Sequence, residues 1–288
     1  MLTGATLLAV TGLIGLLFGS FLNVVIHRLP RMLERRWREE YAQYTTDASE
    51  PAAETPAPYN LVVPVSTCPT CGRKIKPWEN IPVISYLALR GRCAGCKTHI
   101  SLRYPAIELI TALFSVIVVW HFGATPAAAG ALVFVWTLLA ASAIDIGHYL
   151  LPDALTLPLL WLGLLFNAWG TYVPLRQAVI GAVAGYLILW LVYHIFRLLT
   201  GKEGMGRGDF KLLSCLGAWA GWRMLPLIVF AAASMGALIG GAWLLSSRRG
   251  REHPIPFGPF LAAAGVLALF AGPTIVHAYL HWAAPLRH

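Results

Sequence analysis

Eight stretches of this chain are apolar for long enough to leave few choices of fold: residues 4–26, 105–122, 127–144, 154–172, 176–199, 209–222, 224–246 and 257–282. A helix needs about 20 apolar residues to cross the ~30 Å hydrocarbon layer, where no water satisfies the backbone. The sixth stretch is the shortest and is marginal by this measure. With 57% hydrophobic and 12% charged residues, the chain reads as an all-α polytopic membrane protein of about eight transmembrane helices, not a soluble globule. The first stretch has no basic residues before it and runs on to Asn23 and His27, so it reads as a span, not a cleaved signal. The implied division is a first transmembrane helix at 1–26, a cytoplasmic segment at 27–104 and a seven-helix membrane core at 105–288.

The formal charge of +9 invites a nucleic-acid partner, but its distribution argues otherwise. Twelve of the 22 Lys and Arg residues fall within 27–104. Arg197, Lys202, Arg207, Lys211, Arg248, Arg249 and Arg251 flank later loops on the same side of an eight-span layout, leaving Arg176, Arg223 and Arg287 opposite. This is the positive-inside asymmetry: 27–104 in the cytoplasm and both termini on the far side. The basic charge records orientation in the lipid bilayer, and no nucleic-acid partner is expected.

Segment 27–104 changes texture along its length. Arg31 to Glu40 is charged and suits a short interfacial helix. Residues 42–58, rich in Ala, Thr, Pro and Glu, read as a loop with little to bury. From Pro64 onward, Cys, Gly, Pro and Trp take over. Cys68 and Cys71 form one Cys-x-x-Cys pair, and Cys93 and Cys96 a second, 21 residues beyond the first. Each pair can grip one edge of a tetrahedral ion, and four thiolates suit a closed, structural Zn2+ site. Disulfides are the alternative, disfavoured in a reducing cytoplasm. So small a module needs a staple, because its own core is too slight. Cys215, inside an apolar stretch, reads as a small packing residue.

Acids are scarce, so Asp145 and Asp209 at the ends of apolar stretches demand a reason. In the layout above both lie at the cytoplasmic border, one ending the third span and the other opening the sixth. Asp145 closes a helix, where the dipole disfavours negative charge, so it has no capping role there. Asp209 follows Gly206 and Gly208, which allow close backbone approach; capping of the helix after it is the plain alternative. Two carboxyls in contact share a proton, one acting as base toward water and the other as acid, which is aspartic-protease chemistry. Acids at span ends also fit poorly with a proton-relay transporter, which would bury them mid-span.

Other polar residues have plainer readings. Asp153, just before an apolar helix, suits an N-cap. Glu108 suits a structural ion pair or the lining of a cleft, Glu79 the surface or packing of the module, and His148 a loop or interfacial position. Pro254 to Pro259 breaks the chain before the last span and could border the acid pair.

Taken together, these motifs closely resemble the bacterial type IV prepilin peptidases, the bifunctional leader peptidase and N-methyltransferase family. The resemblance covers nearly the whole chain: Gly19 to Val25 with His27 to Pro30, the two cysteine pairs, Pro77 to Pro82, Arg103 to Pro105 with Glu108, Asp145 to Asp153, Gly204 to Lys211 and Pro256 to Pro259. It implies an inner-membrane aspartic protease with Asp145 and Asp209 as catalytic pair, Gly206 and Gly208 in the active-site loop, and zinc on Cys68, Cys71, Cys93 and Cys96. The implied substrates are prepilins and pseudopilins, cut after a glycine that ends a basic leader. The new N-terminal residue, usually phenylalanine, is then methylated with S-adenosyl-L-methionine. No glycine-rich signature for that donor is visible in the sequence.

Overall fold

The computed structural model describes residues 4–45, 58–246 and 255–283. Among these the regular elements are helices, joined only by two isolated β-bridges. The chain forms two compact units, Met1–Trp120 and His121–His288.

In the first unit, α1 (Gly4–Thr45) is one continuous helix that passes through Pro30. The helix therefore continues past residue 26, where the apolar stretch ends, and takes in the separate helix expected over 31–40 and the start of the loop expected from 42. Buried Leu22, Val25, Ile26 and Leu29 form a face at helical spacing. That face carries the helix past residue 26 as far as Pro30; the residues from Arg31 to Tyr44 are exposed or half-buried. The rest of the expected loop, 46–57, lies outside the described residues. Arg28, also buried, ties the following chain back to the helix by donating to the carbonyls of Asn60 (3.0 Å) and Pro64 (2.6 Å). Helix α3 (Arg103–Phe122) packs against α1 at close range. A Cβ on Gly19 would stand 2.6 Å from Glu108 Cα, so only glycine permits that approach.

Between them lie a short 3-10 helix, Pro77–Asn80, and α2 (Ile84–Ala88). Each cysteine pair sits on a knuckle of the same design. Cys68 N–H donates to Arg73 O and Gly72 N–H to Cys68 O; Cys93 N–H donates to Thr98 O and Lys97 N–H to Cys93 O. The residue after each pair, Gly72 (φ 69°) or Lys97 (φ 60°), is left-handed.

The second unit is a helical bundle of α4 (Pro126–His148), α5 (Asp153–Ala168), α6 (Leu175–Thr200), α7 (Arg207–Ala220), α8 (Leu225–Ser246) and α9 (Gly258–Ala283). Helix α7 is its axis, packed by α5, α6 and α9 and buried at every position from Asp209 to Ala220 except Lys211. A Cβ on Gly181 or Gly217 would run into the other residue's carbonyl, so α6 and α7 touch backbone to backbone. At the far end Trp219 is fully buried and donates to Leu159 O (2.8 Å). Asn167 donates to Ala218 O (2.8 Å) and accepts from the N–H groups of Tyr172 and Val173 (3.0 Å each).

All eight apolar stretches are thus helical, but six helices among the described residues are long and apolar enough to cross a membrane: α1, α3, α4, α6, α8 and α9. Helices α5 and α7 have 16 and 14 residues, shorter than the ~20 of a lone lipid-exposed span.

Candidate active site and metal cluster

Asp145 lies in the last turn of α4, which ends on left-handed Tyr149 (φ 53°) with its N–H donating to Asp145 O (2.9 Å). The carboxylate does not serve its own helix. Its Oδ2 accepts from the N–H of Gly258 (3.0 Å), the first residue of α9. The positive end of the α9 dipole thus offsets the unfavourable end of α4. A Cβ on Gly258 would come within 2.6 Å of Oδ2, so this contact requires glycine.

Asp209 is the third residue of α7, whose N-cap is Gly206. Its N–H donates to Gly206 O (3.3 Å), and its carboxylate accepts from the Gly206 N–H. The cap is therefore Gly206, with Asp209 reaching back from the first turn in half a capping box.

Each acid, then, lies against a helix N-terminus, and each is 6% exposed. They are close enough for the charge on Asp145 to act on Asp209. Leu151 lies beside a glycine next to each: a Cβ on Gly208 would stand 2.7 Å from Leu151 Cβ, and one on Gly258 would stand 3.2 Å from Leu151 Cδ1. Of the two loop glycines, Gly208 is required by this contact. Gly206 has room, since a Cβ there would sit 3.6 Å from Asp209 Oδ2. Gly258 touches Asp145, and Leu151 touches Gly208 and Gly258; the sequence marks only the segments that hold them, Asp145–Asp153 and Pro254–Pro259.

Two further expectations are corrected. Asp153 is no N-cap: Pro152 holds that position, and the Asp153 carboxylate pairs with Lys211 Nζ at 2.6 and 2.7 Å, bracing α5 against α7. Glu108, in the first unit, is buried and held by hydrogen bonds instead of a cation. It accepts from the Val83 N–H (2.8 Å) and the Ser20 hydroxyl. That bond fixes Val83 at φ 59°, an uncommon conformation for a β-branched residue.

The four paired cysteines converge. Their sulfurs all lie within 4.8 Å of one another and are unoxidised. Cys68 and Cys96 sulfurs stand 3.8 Å apart, the edge expected of a tetrahedron with ~2.3 Å zinc–sulfur bonds. Backbone N–H groups of Cys71 and Thr70 hold the Cys68 thiol below its usual range. Thr98, through hydroxyl and N–H, pushes Cys96 down to about 6. The Arg73 N–H pulls Cys71 down too, but the neighbouring sulfurs outweigh it and drive that thiol up to about 11. Four crowded thiolates need a cation to ionise together, and the donor set fits Zn2+. Glu79 braces the cluster from outside: it accepts from Arg73 (2.7 Å) and the Lys76 N–H (3.1 Å), which hold its carboxyl below the usual range. Cys215 is fully buried in α7 as a packing residue.

Fold and site together define a helical membrane protein with a buried carboxyl pair and a four-thiol cluster. The family model described as Bacterial Peptidase A24 N-terminal domain matches residues 13–122, and that described as Type IV leader peptidase family matches residues 132–241. Curated relatives named prepilin leader peptidase/N-methyltransferase include one from Pseudomonas aeruginosa, 54% identical over 95% of this chain and 93% of the relative. One from Stutzerimonas stutzeri is 52% identical over 94% and 92%, and one from Burkholderia pseudomallei 53% over 92% and 85%. No solved structure matches the chain. The chain belongs to the type IV leader peptidase family.

Proposed function

We propose that this chain is a membrane aspartic endopeptidase that removes the basic leader of prepilins and pseudopilins after a glycine and N-methylates the new N-terminal residue. The observation that carries the reading is the pair of buried carboxyls, Asp145 and Asp209, on different helices within reach of each other's charge. Two such groups do not both ionise readily, so one keeps a proton while the other acts as base. The ionised carboxyl takes a proton from a water, which attacks the scissile carbonyl, while the protonated one donates to the developing oxyanion; the first then passes its proton to the leaving amine as the C–N bond breaks, and a hydroxyl of the intermediate returns a proton to the second. The Gly258 N–H on Asp145 and the Gly206 N–H on Asp209 keep the two acids oriented and distinct.

In this reading both acids face the cytoplasm at the inner membrane of a bacterium, where the leader of a membrane-anchored precursor meets its apolar helix, and both chain termini are periplasmic. Functionally, 27–104 is the cytoplasmic part and 105–288 the protease core. Zn2+ on Cys68, Cys71, Cys93 and Cys96 would supply structure to the module. S-adenosyl-L-methionine would supply the methyl group; the relatives' name, N-methyltransferase, supports the need for a methyl donor.

Asp145→Asn and Asp209→Asn, made separately, test the reading on a purified precursor. Each is expected to lower cleavage at least ~1000-fold, the scale on which loss of an acid–base partner is felt, with amide-exchange protection of α7 intact. Cleavage at the native rate in either variant removes that residue from the mechanism.

A further inference from the structure

The module carries a second chemical surface that neither the carboxyl pair nor the thiol cluster uses. Arg90, Arg92 and Lys97 line a shallow hollow of about 370 Å3 together with Leu89. Residues 80–102 contain no acid at all, so this charge has no counter-ion from its own segment. Two of the three cations also sit in the left-handed region, Arg90 at φ 53° and Lys97 at φ 60°. At the matching place on the first knuckle the chain uses Gly72. A side chain there costs free energy that glycine avoids, and strain of this kind collects at sites of use.

Apolar groups adjoin the hollow in the chain. Helix α2 shows Ile84 and Leu87, one turn apart and 63% and 68% exposed; it ends at Leu89, which lines the hollow. Cations beside unpartnered apolar side chains fit a surface that is anionic above and hydrocarbon below. Chain length decides which surface. From Lys97 to Arg103, where the membrane-length helix α3 begins, six peptide steps reach at most ~20 Å. The module therefore cannot leave the neighbourhood of the headgroups.

We infer that the hollow formed by Arg90, Arg92 and Lys97, with Ile84 and Leu87 beside it, docks the module onto the anionic lipid headgroups of the membrane that α3 enters. Docking holds the four-thiol module at a fixed height over the bilayer.

The test uses the full, metal-loaded chain in nanodiscs of phosphatidylcholine alone or mixed with phosphatidylglycerol, read by amide hydrogen exchange over 84–97. Slower exchange in the anionic discs is expected, reversed by added salt. Each cation removed should weaken that lipid-dependent protection about fivefold. Arg90→Gly and Lys97→Gly relieve the backbone while deleting charge, so their folding and metal content should hold while protection falls. Equal exchange in the two discs would overturn the inference, as would variants that keep full protection. Slowing produced by inorganic phosphate in phosphatidylcholine discs would overturn it too, in favour of a soluble phosphate ligand.

Discussion

The knuckle module and the surroundings of α7 solve the same problem by opposite means. The module has little interior: of its cysteines only Cys68 is buried. It is held by a few point links, the four sulfurs and the Arg73–Glu79 pair. Around α7 no single link dominates. Backbones meet at Gly181 and Gly217, and Trp219 and Asn167 close the far end with buried hydrogen bonds. A structure held at points fails all at once when a point is removed, whereas one held along a seam fails by degrees.

The sharpest way to break that contrast is to strip the metal. Structural zinc contributes on the order of 10 kcal/mol in small modules, so chelation should free the amides of residues 64–101 to exchange while those of 153–220 stay protected. Loss of protection in both would show that the two parts fold as one.

The reverse experiment is Gly217→Ala. The new Cβ meets the Gly181 carbonyl, an overpacking that costs about 3 kcal/mol. The melting temperature in detergent should fall, with bound metal unchanged.

The smallest effect sharpens the account of the module's point links. Arg73 and the Lys76 N–H hold the Glu79 carboxyl below its usual range. Its folded value is lower than its unfolded value, so its contribution is fully present above the unfolded value of about 4.3 and is lost as pH falls through the folded one. Glu79→Gln should therefore make the metal easier to chelate near neutrality by a constant margin. That margin should narrow only below the ordinary carboxylate range; a gap already closing at about pH 6 would contradict the assignment.

Apolar content revealed the helices of this chain because burying or embedding a long apolar run leaves few alternatives. It misjudged their ends. The first helix runs on past residue 26 because the buried face of Leu22, Val25, Ile26 and Leu29 continues up to Pro30, and a hydropathy pattern sees polarity there instead of packing. Asp153 looked like a cap because capping is a local signal; Lys211, 58 residues away, claimed its carboxylate. The same distance effect hid the Gly258 N–H beneath Asp145, 113 residues off. The cysteine pairs were legible for the opposite reason, since each knuckle is built from six consecutive residues and its spacing is its geometry.

Helix α7 is only 14 residues long, about 21 Å from end to end, and neighbours enclose almost all of it. A segment so placed never meets an acyl chain. Thicker or thinner lipid would tilt or stretch the outer helices first, leaving the ground under Asp209 nearly unmoved. The inner rod thus works like a keel, taking its level from the hull around it instead of from the water line.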